Sequence, residues 1–431
     1  MKKYSLSALV AAGLLAGAAT SASAADLGGN CCADLEERIA ELEATTARKG
    51  NRKVSLTISG WVAEQVLWWD DGVEKNMYVT GLGATLATNF KLTGEAQIRP
   101  GLKAGYVMHI EVNTSDPLTV NQRNDDGPSG HTGRGPNNVE VAQSYWYLKD
   151  NHWGQLSVGQ LSHASDNAAI LVDGSGSLVP ANWVLFDNMS FITRVGGVAT
   201  GITWGNAFGY CNFTGAGIGG DCNGVPLNAV RYDSPTFAGF SVSASWGEDD
   251  FWDVTARWAG EHSGFKLAFA ASYAERNENA VVLNRNFGRT GGDSQTVEYW
   301  QLGGYIEHVS TGLFFYGAYG QEHATNADPI GDGLGGEAYP SSPDHWYLKA
   351  GIKQRWTPLG NTILFGEYAQ RSGMTNPTLI DGFNAATFSS NMTQWGLGVV
   401  QEIDAAAMSL FLVYLNFDDM QIIKAGALIN F

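Results

Sequence analysis

The sequence predicts an all-β fold, a sixteen-stranded antiparallel transmembrane β-barrel preceded by a short N-terminal coiled-coil helix. Three observations predict it: apolar and polar residues alternate with a period of two along most of the chain, short and long connections alternate between these segments, and the last residue is Phe431. A period of two places the apolar side chains of a strand on one face. Alternating connection lengths are typical of barrels that cross a membrane.

Residues 1–24 have the pattern of a secretory signal peptide. Two lysines precede a short apolar run, residues 6–19, and an A-x-A cleavage site follows at Ala22–Ala24. The apolar run is shorter than the roughly 20 residues that a membrane-spanning helix needs, which argues against a membrane anchor. We therefore expect export, with a mature chain that begins at Ala25.

Residues 25–52 form a separate segment that carries a heptad pattern. Asp34 and Glu37 have the spacing of a capping box, and Gly50 is a typical helix stop. The seam positions of this helix, over about residues 33–48, are spaced three and four apart: Cys32, Leu35, Ile39, Leu42 and Thr46. A helix this short is marginal alone, but a trimeric barrel would bring three copies together. We predict a periplasmic three-helix stalk; a loose or lumen-inserted amphipathic helix is the alternative.

Composition excludes several classes of protein. The chain has 54 glycines, 14 tryptophans, 16 tyrosines and 19 phenylalanines but four cysteines, so it is neither a disulfide scaffold nor a disordered chain. Its net charge of -17 disfavours nucleic acid as a partner. After the signal peptide no run approaches about 18 apolar residues, which argues against a helical membrane protein. A soluble all-β enzyme and an outer-membrane barrel remain.

The alternation and the turns give sixteen strands over residues 53–431. The pattern begins at Lys53 with KVSLTISGWV and returns in segments such as LKAGYVMHIEVN, WDVTARW, WYLKAGIKQRW and QWGLGVV. Tight turns such as EIDA, TPLG and VSTG alternate with long loops such as 321–344 and 372–393. An even number of strands puts both ends of the barrel on the periplasmic side.

The end of the chain supports the membrane interpretation. Behind Phe431 the alternation continues through Ile429, Ala427, Ala425 and Ile423. An aromatic side chain at a strand end suits the membrane interface. This ending is similar to the terminal recognition signal of outer-membrane barrels, so we expect the barrel-assembly machinery, membrane lipid and lipopolysaccharide as partners. A soluble domain that ends in phenylalanine is the alternative.

Charged residues recur on the strand face opposite the apolar set. A dry protein core could not hold so many charges, because each costs several kcal/mol or more when it is buried without a partner. A water-filled lumen can hold them. The candidate pore-lining residues on the strands are Lys53, Lys91, Glu95, Arg99, Lys103, Glu111, Arg231, Arg257, Lys349, Lys353 and Arg355.

One loop is long enough to enter the lumen. The fifth strand ends near Gln160 and the sixth begins near Asn228, so the loop covers about residues 161–227, and loops of that length are usually functional. We expect its acidic residues to face a basic wall across the pore and to create a transverse field. These acidic candidates are Asp166, Asp173 and Asp187. Cys211 and Cys222 in the same loop are expected to form a disulfide on the oxidising export route.

Catalytic and metal-binding patterns are not found in the sequence. There is no G-x-S-x-G, no H-E-x-x-H and no paired-cysteine metal pattern. We therefore expect neither an enzyme nor a cofactor. A dispersed catalytic set, as in an outer-membrane hydrolase, and a substrate-selective nutrient channel remain as alternatives.

The segment RYDSPTFAGFSVSASWGEDDFWDVTARWAGEHSGFKLAFAASY, residues Arg231–Tyr273, resembles the porins of alphaproteobacteria, and the mature start ADL and final NF agree with it. The resemblance implies a homotrimer whose third loop narrows a channel for passive diffusion of small hydrophilic solutes and ions. It also implies that Ala25 and Asp26 are a site of covalent attachment to peptidoglycan. FITRVGGVAT around Arg194 resembles the pore-lining start of strand six in enteric porins, although the strand count argues against a wall strand there.

Overall fold

The computed structural model describes residues 54–83, 85–113, 115–125, 139–204, 221, 223–248, 250–277, 296–327, 339–372, 391–418 and 420–431. The predictions for the signal peptide, the stalk, Lys53 and the Cys211–Cys222 disulfide concern positions outside these residues. Within the described part of the chain, no helix is long and apolar enough to cross a membrane.

The described residues form twenty strands. In chain order they are β1 (Thr57–Asp70), β2 (Lys75–Thr80), β3 (Thr88–Arg99), β4 (Leu102–Val112), β5 (Val139–Asp150), β6 (Gly154–Leu161), β7 (Ile192–Val195), β8 (Val198–Thr203), β9 (Leu227–Asp233), β10 (Phe240–Gly247), β11 (Trp252–His262), β12 (Phe265–Arg276), β13 (Val297–His308), β14 (Leu313–Ala327), β15 (Tyr339–Ser341), β16 (Asp344–Thr357), β17 (Gly360–Arg371), β18 (Met392–Ile403), β19 (Met408–Phe417) and β20 (Met420–Asn430).

Sixteen of these strands close into one antiparallel barrel. The sheet has 18 strands, of which β2 and β15 are short additions that pair with β1 and β14, and 18 less these two is 16. The barrel closes where β1 pairs with β20, from Trp61 opposite Asn430 to Asp70 opposite Gln421. The pair β7 and β8 forms a separate hairpin. The predicted strand number and antiparallel order are confirmed.

Connections at the two ends of the barrel differ in length. At one end β3 and β4 are joined through residues 100–101, and β11 and β12 through residues 263–264. Gly101 and Gly264 have φ of 85° and 81° in these turns, a conformation that suits glycine. At the other end the connections include the long loop of residues 162–226. The end with short turns is periplasmic in a barrel of this kind.

The strand register explains the period-two pattern. On β1 the outward side chains Val62 and Val66 are exposed, whereas Ala63 and Leu67 face inward and are fully buried. On β20 Ile423 and Ile429 are likewise exposed, as the alternation predicts. Apolar side chains therefore cover the outside of the barrel, where lipid replaces water.

A continuous row of aromatic side chains encircles part of the outer surface. Each of nine successive wall strands from β10 to β19 contributes one member, and neighbours are either cross-strand partners or ring pairs with centroids 4.9 to 5.3 Å apart. We call this row the aromatic belt: Trp246, Trp252, Tyr273, Trp300, Tyr319, Trp346, Tyr368, Trp395 and Tyr414. It lies toward the extracellular ends of the strands, where aromatic rings prefer the membrane interface.

The main hydrophobic core lies inside the barrel, between the wall and the inserted loop. The wall strands β6 and β9 pair directly, with Gln160 opposite Asn228, and the intervening loop turns inward. Trp183 and Phe191 of the loop belong to the same buried cluster as Ile363 and Val413 of the wall. The described part of the loop therefore packs as a folded layer against the inner surface of the barrel.

Candidate functional site: the lumen and its inserted loop

The loop is first attached to the wall at its root, just after β6. The Asp253 carboxylate on β11 accepts hydrogen bonds from the Ser165 N–H and hydroxyl, both at 2.7 Å, and lies 2.6 Å from His163 Nδ1. His163 Nε2 lies 2.8 Å from the carbonyl oxygen of Asn223. Burial opposes the charged imidazole, but the acceptors at both ring nitrogens outweigh it and raise the pKa of His163.

Two arginines of the wall donate to the loop backbone at the same place. Arg231 Nη1 donates to the carbonyl oxygens of Ser162 and His163 at 2.6 and 3.1 Å, and Arg257 Nη2 donates to that of Ala164 at 2.8 Å. Arg231 is also paired with Asp233 at 2.7 Å. Both arginines were predicted from the sequence as inward-facing, and they hold the loop root as well as bordering the lumen.

A pair of buried carboxylates lies beside this root. The Asn167 side chain donates to Asp166 at 2.6 Å, and its backbone N–H donates to Asp221 at 3.1 Å. Burial and the neighbouring Asp166 carboxylate raise the pKa of Asp221 to about 8. Burial also raises the pKa of Asp166. A proton shared within this pair therefore avoids two adjacent buried negative charges.

We expect the stability of the protein to depend on pH through Asp221. The folded state holds a proton there up to about pH 8, whereas the unfolded chain releases it near 3.8, so stability falls as pH rises between these values. The temperature of thermal unfolding in detergent should be lower at about pH 9 than at about pH 6, by a few degrees. The neutral variant Asp221→Asn should show a smaller dependence, with a remainder from His163, whose raised pKa acts in the same direction, and an equal dependence in the variant would contradict the assignment.

The middle of the loop is fixed to β13 and β14. Gln301 accepts a hydrogen bond from the Ala169 N–H and donates to the carbonyl oxygen of Ser165, both at 2.9 Å. The Tyr316 hydroxyl donates to the carbonyl oxygen of Ala169 at 2.9 Å. Gly303 permits this close approach, because a Cβ there would lie 2.4 Å from that same carbonyl oxygen.

Farther along, the loop carboxylate Asp173 meets a lysine of β16. Lys349 Nζ lies 2.6 Å from Asp173 Oδ2, and both side chains are almost completely buried. Lys349 also donates to the carbonyl oxygen of Ala181 at 2.7 Å. The expectation from the sequence placed these two charges on opposite sides of the pore. They are instead in direct contact, because the loop lies against this wall.

Asp187 makes a similar ion-pair contact with the wall, on the strands β20 and β1. Its carboxylate lies 2.5 Å from Lys424 Nζ of β20 and accepts a hydrogen bond from Gln65 of β1 at 2.7 Å. Between the two lysines, Arg371 donates to the carbonyl oxygen of Trp183 and, at 3.0 Å, to Gln394. Lys424 and Arg371 were not predicted from the sequence as loop anchors, although both lie at inward positions of the alternation.

The end of the described loop reaches the extracellular mouth. Arg194 on β7 forms ion pairs with Asp71 at 2.7 Å and with Glu74, in the turn between β1 and β2. Gln122 donates to Asp71 at 3.0 Å and to the carbonyl oxygen of Ile192 at 2.8 Å. Burial opposes ionisation of Asp71, but hydrogen bonds from the Glu74 N–H, Gln122 and Arg194 outweigh it and lower its pKa. Arg194 thus joins extracellular segments, and the structure places it outside the barrel wall, in agreement with the strand count.

Known proteins share this architecture. The family model for Gram-negative porins matches residues 6–419. The chain belongs to the Gram-negative porin family. None of the curated protein sequences compared with the chain matches it.

Solved structures of three other proteins have the same fold as this porin. An anion-selective porin from Comamonas acidovorans is 17% identical, with a TM-score of 0.54 over 88% of this chain and 100% of that chain. OmpF of Salmonella typhi, in complex with daunomycin, is 12% identical, with a TM-score of 0.52 over 89% and 99%. In-vitro folded OmpT, an outer membrane protein of Vibrio cholerae in trimer form, is 11% identical, with a TM-score of 0.50 over 88% and 99%. The chain is an outer-membrane channel for passive diffusion.

Four further inward charges of this porin lie on the wall that the loop leaves uncovered. On β3 and β4 the register places Lys91, Glu95, Lys103 and Glu111 on the inner face. Glu95 and Lys103 form an ion pair at 2.5 Å, whereas Glu111 is buried and accepts a hydrogen bond from the Thr85 N–H at 3.1 Å.

Two predicted pore residues lie at the periplasmic rim, and a third lies inside. Arg99 is exposed at the end of β3, and Arg355 near the end of β16 pairs with Asp404 at 2.8 Å. Lys353 faces inward on β16, opposite Ile363. The loop reaches down to its level, since a Cβ on Gly176 would lie 3.5 Å from Lys353 Nζ.

Proposed function

We propose that this porin is a general diffusion channel whose pore runs between the inserted loop and the inner face of β3 to β6. The observation that carries the proposal is the path of the loop. Residues 162–191 are attached to wall strands from β9 round to β1, at the contacts of Arg231, Gln301, Lys349 and Lys424. Among the described residues, β3, β4 and β5 form no hydrogen bond with this stretch.

The inner face of β3 to β6, which the loop leaves uncovered, is polar and accessible to solvent. Lys103 and Lys149 are exposed on the inner face, and Tyr145 and Tyr147 are partly exposed beside them. Charged groups of both signs and hydroxyl groups can replace part of the hydration shell of a passing ion or sugar. No single tight binding site is needed for this. Such a lining suits small hydrophilic solutes of many kinds, admitted by size.

Planar bilayers and swelling of liposomes test this function. We expect purified protein to open stable pores in bilayers and to admit neutral sugars at rates that fall steadily with their size, because no step depends on a specific site. Saturable uptake of one sugar, with rejection of its stereoisomers, would favour a nutrient-selective channel. A folded preparation with no conductance would contradict a channel altogether.

The porin is further proposed to be a homotrimer. The continuous row of the aromatic belt ends at Tyr414, whose partner on β20 is Ile423, and the outward residues near the extracellular ends of β4 and β5 are Ile110 and Val141. Only single aromatic residues face outward on the two strands between them, Trp68 on β1 opposite Ile423 and Phe90 on β3 opposite Ile110. A surface that faces a neighbouring subunit instead of lipid has no need of an interfacial belt. The trimer form of Vibrio cholerae OmpT, which has the same fold, is consistent with this assembly.

Four proposals rest on the sequence alone. Residues 25–52 would form the periplasmic stalk below a trimer, with peptidoglycan attached at Ala25 or Asp26. Cys211 and Cys222 would form a disulfide within the long loop. Phe431 would be recognised by the barrel-assembly machinery, and it is exposed at the periplasmic end of the barrel.

A further inference from the structure

The inserted loop carries no exposed charge on residues 162–191. Its titratable side chains in this stretch are His163, Asp166, Asp173 and Asp187, and all four are buried. The partly exposed side chains of the same stretch are neutral: Ser162, Asn167, Leu171, Leu178, Val179, Val184, Phe186, Met189 and Ser190. This face of the loop therefore cannot supply the negative side of a field across the pore.

Several carboxylates on the inner face of the barrel are neutralised by ion pairs. Glu95 pairs with Lys103 at 2.5 Å, and Asp233 pairs with Arg231 at 2.7 Å. Glu307, lower on β13, lies 3.5 Å from Lys266. Three further carboxylates among the described residues face the lumen: Glu140 near the extracellular end, and Glu261 and Glu402 near the periplasmic end.

Within the described part of the chain, four partly exposed inward cations have no such partner. They lie on four different wall strands: Lys91 on β3, Lys149 on β5, Arg257 on β11 and Lys353 on β16. Among the described residues, no carboxylate lies within ion-pair distance of any of them. Each is at least partly exposed. An unpaired cation in a narrow aqueous passage raises the local concentration of anions.

We propose that the open lumen of this porin prefers anions, and that the cations of the barrel wall set this preference without an acidic contribution from the loop. The inference rests on the proposed pore path. Lys91 and Lys149 border this path, and Lys353 faces the lumen at the level of Gly176 in the loop. These three lysines are the clearest determinants, since none of them forms a hydrogen bond with the described residues of the loop. The net negative charge of the whole chain is a poor guide here, because the loop acids are neutralised where they lie.

Reversal potentials in a KCl gradient across a planar bilayer test the inference. The unmodified channel should be anion-selective. The triple variant Lys91→Gln, Lys149→Gln, Lys353→Gln should lower the ratio of chloride to potassium permeability by about twofold or more, because it removes the unpaired charges. The double variant Asp173→Asn, Lys349→Met removes a covered pair of opposite charges and should keep the ratio of the unmodified channel.

Three results would overturn the inference. The unmodified channel could prefer potassium, the triple variant could keep the original ratio, or the double variant could shift the ratio as strongly as the triple variant, which would give the loop a role in selectivity. Absence of any conductance in a folded preparation is a different outcome. It would contradict the channel function itself, and the anion preference with it.

Discussion

Replacing Lys349 by methionine should detach the middle of the inserted loop from the barrel wall. The variant leaves the Asp173 carboxylate buried without a cation, and it also leaves the carbonyl oxygen of Ala181 without a donor. Breaking a buried ion pair from one side costs about 3 to 5 kcal/mol. We expect a larger and noisier single-channel conductance than that of the unmodified protein, together with a lower temperature of thermal unfolding.

The double variant Lys349→Met, Asp173→Asn is the matched control. It removes both charges, so no uncompensated ion remains under the loop, and a buried pair replaced by neutral groups is often tolerated. Most of the conductance and stability of the unmodified channel should return, with a small deficit from the unsatisfied Ala181 carbonyl oxygen. If Lys349→Met alone has the conductance and stability of the unmodified protein, the ion pair does not hold the loop.

The barrel was predictable from sequence because its signals are local. Alternation along KVSLTISGWV, residues 53–62, reports which side chains share a face, and turns such as TPLG, residues 357–360, report where strands end. The same counting located the long loop between β6 and β9, and it kept Arg194 out of the barrel wall. None of these inferences needed to know which residues meet across the lumen.

Contacts inside the lumen were not predictable in this way. Lys103 and Lys349 have the same inward position in the alternation, yet Lys103 is exposed and Lys349 is fully covered by the loop. The path of the loop decides the difference, and that path is set by pairings between residues far apart in the chain, such as Asp187 with Lys424. The alternation predicts that a charged side chain faces inward, but not whether it contacts water or a carboxylate.

The loop also has an apolar component that strand counting does not reveal. Trp183, Leu185 and Phe191 are buried against the inner wall, where Ile363 and Val413 supply an apolar surface. Alternation places these wall residues on the inner face but does not indicate what they contact. They are the surface on which the loop packs, and burying it contributes roughly 25 cal/mol per Å² of apolar area.

Bulky substitutions on the outer surface should distinguish a subunit interface from a lipid-facing surface, when placed either beyond the end of the aromatic belt or below it. Val62 on β1 and Ala427 on β20 point outward beyond the end of the aromatic belt. The variant Val62→Trp, Ala427→Trp should abolish trimers, because overpacking costs about 1 to 3 kcal/mol at each site and a three-fold assembly repeats it at every interface. Mobility on gels without heating, and mass in detergent by light scattering, measure the assembly.

The variant Leu412→Trp, Ala350→Trp provides the matched control. Both positions point outward below the aromatic belt, on β19 and β16. The added rings contact fluid acyl chains, which can rearrange around them. Folding and the trimer should therefore both persist. If the control dissociates while Val62→Trp, Ala427→Trp remains trimeric, the interface lies on the side of the belt. If both remain trimeric, neither side carries it, and the break in the belt must have another cause.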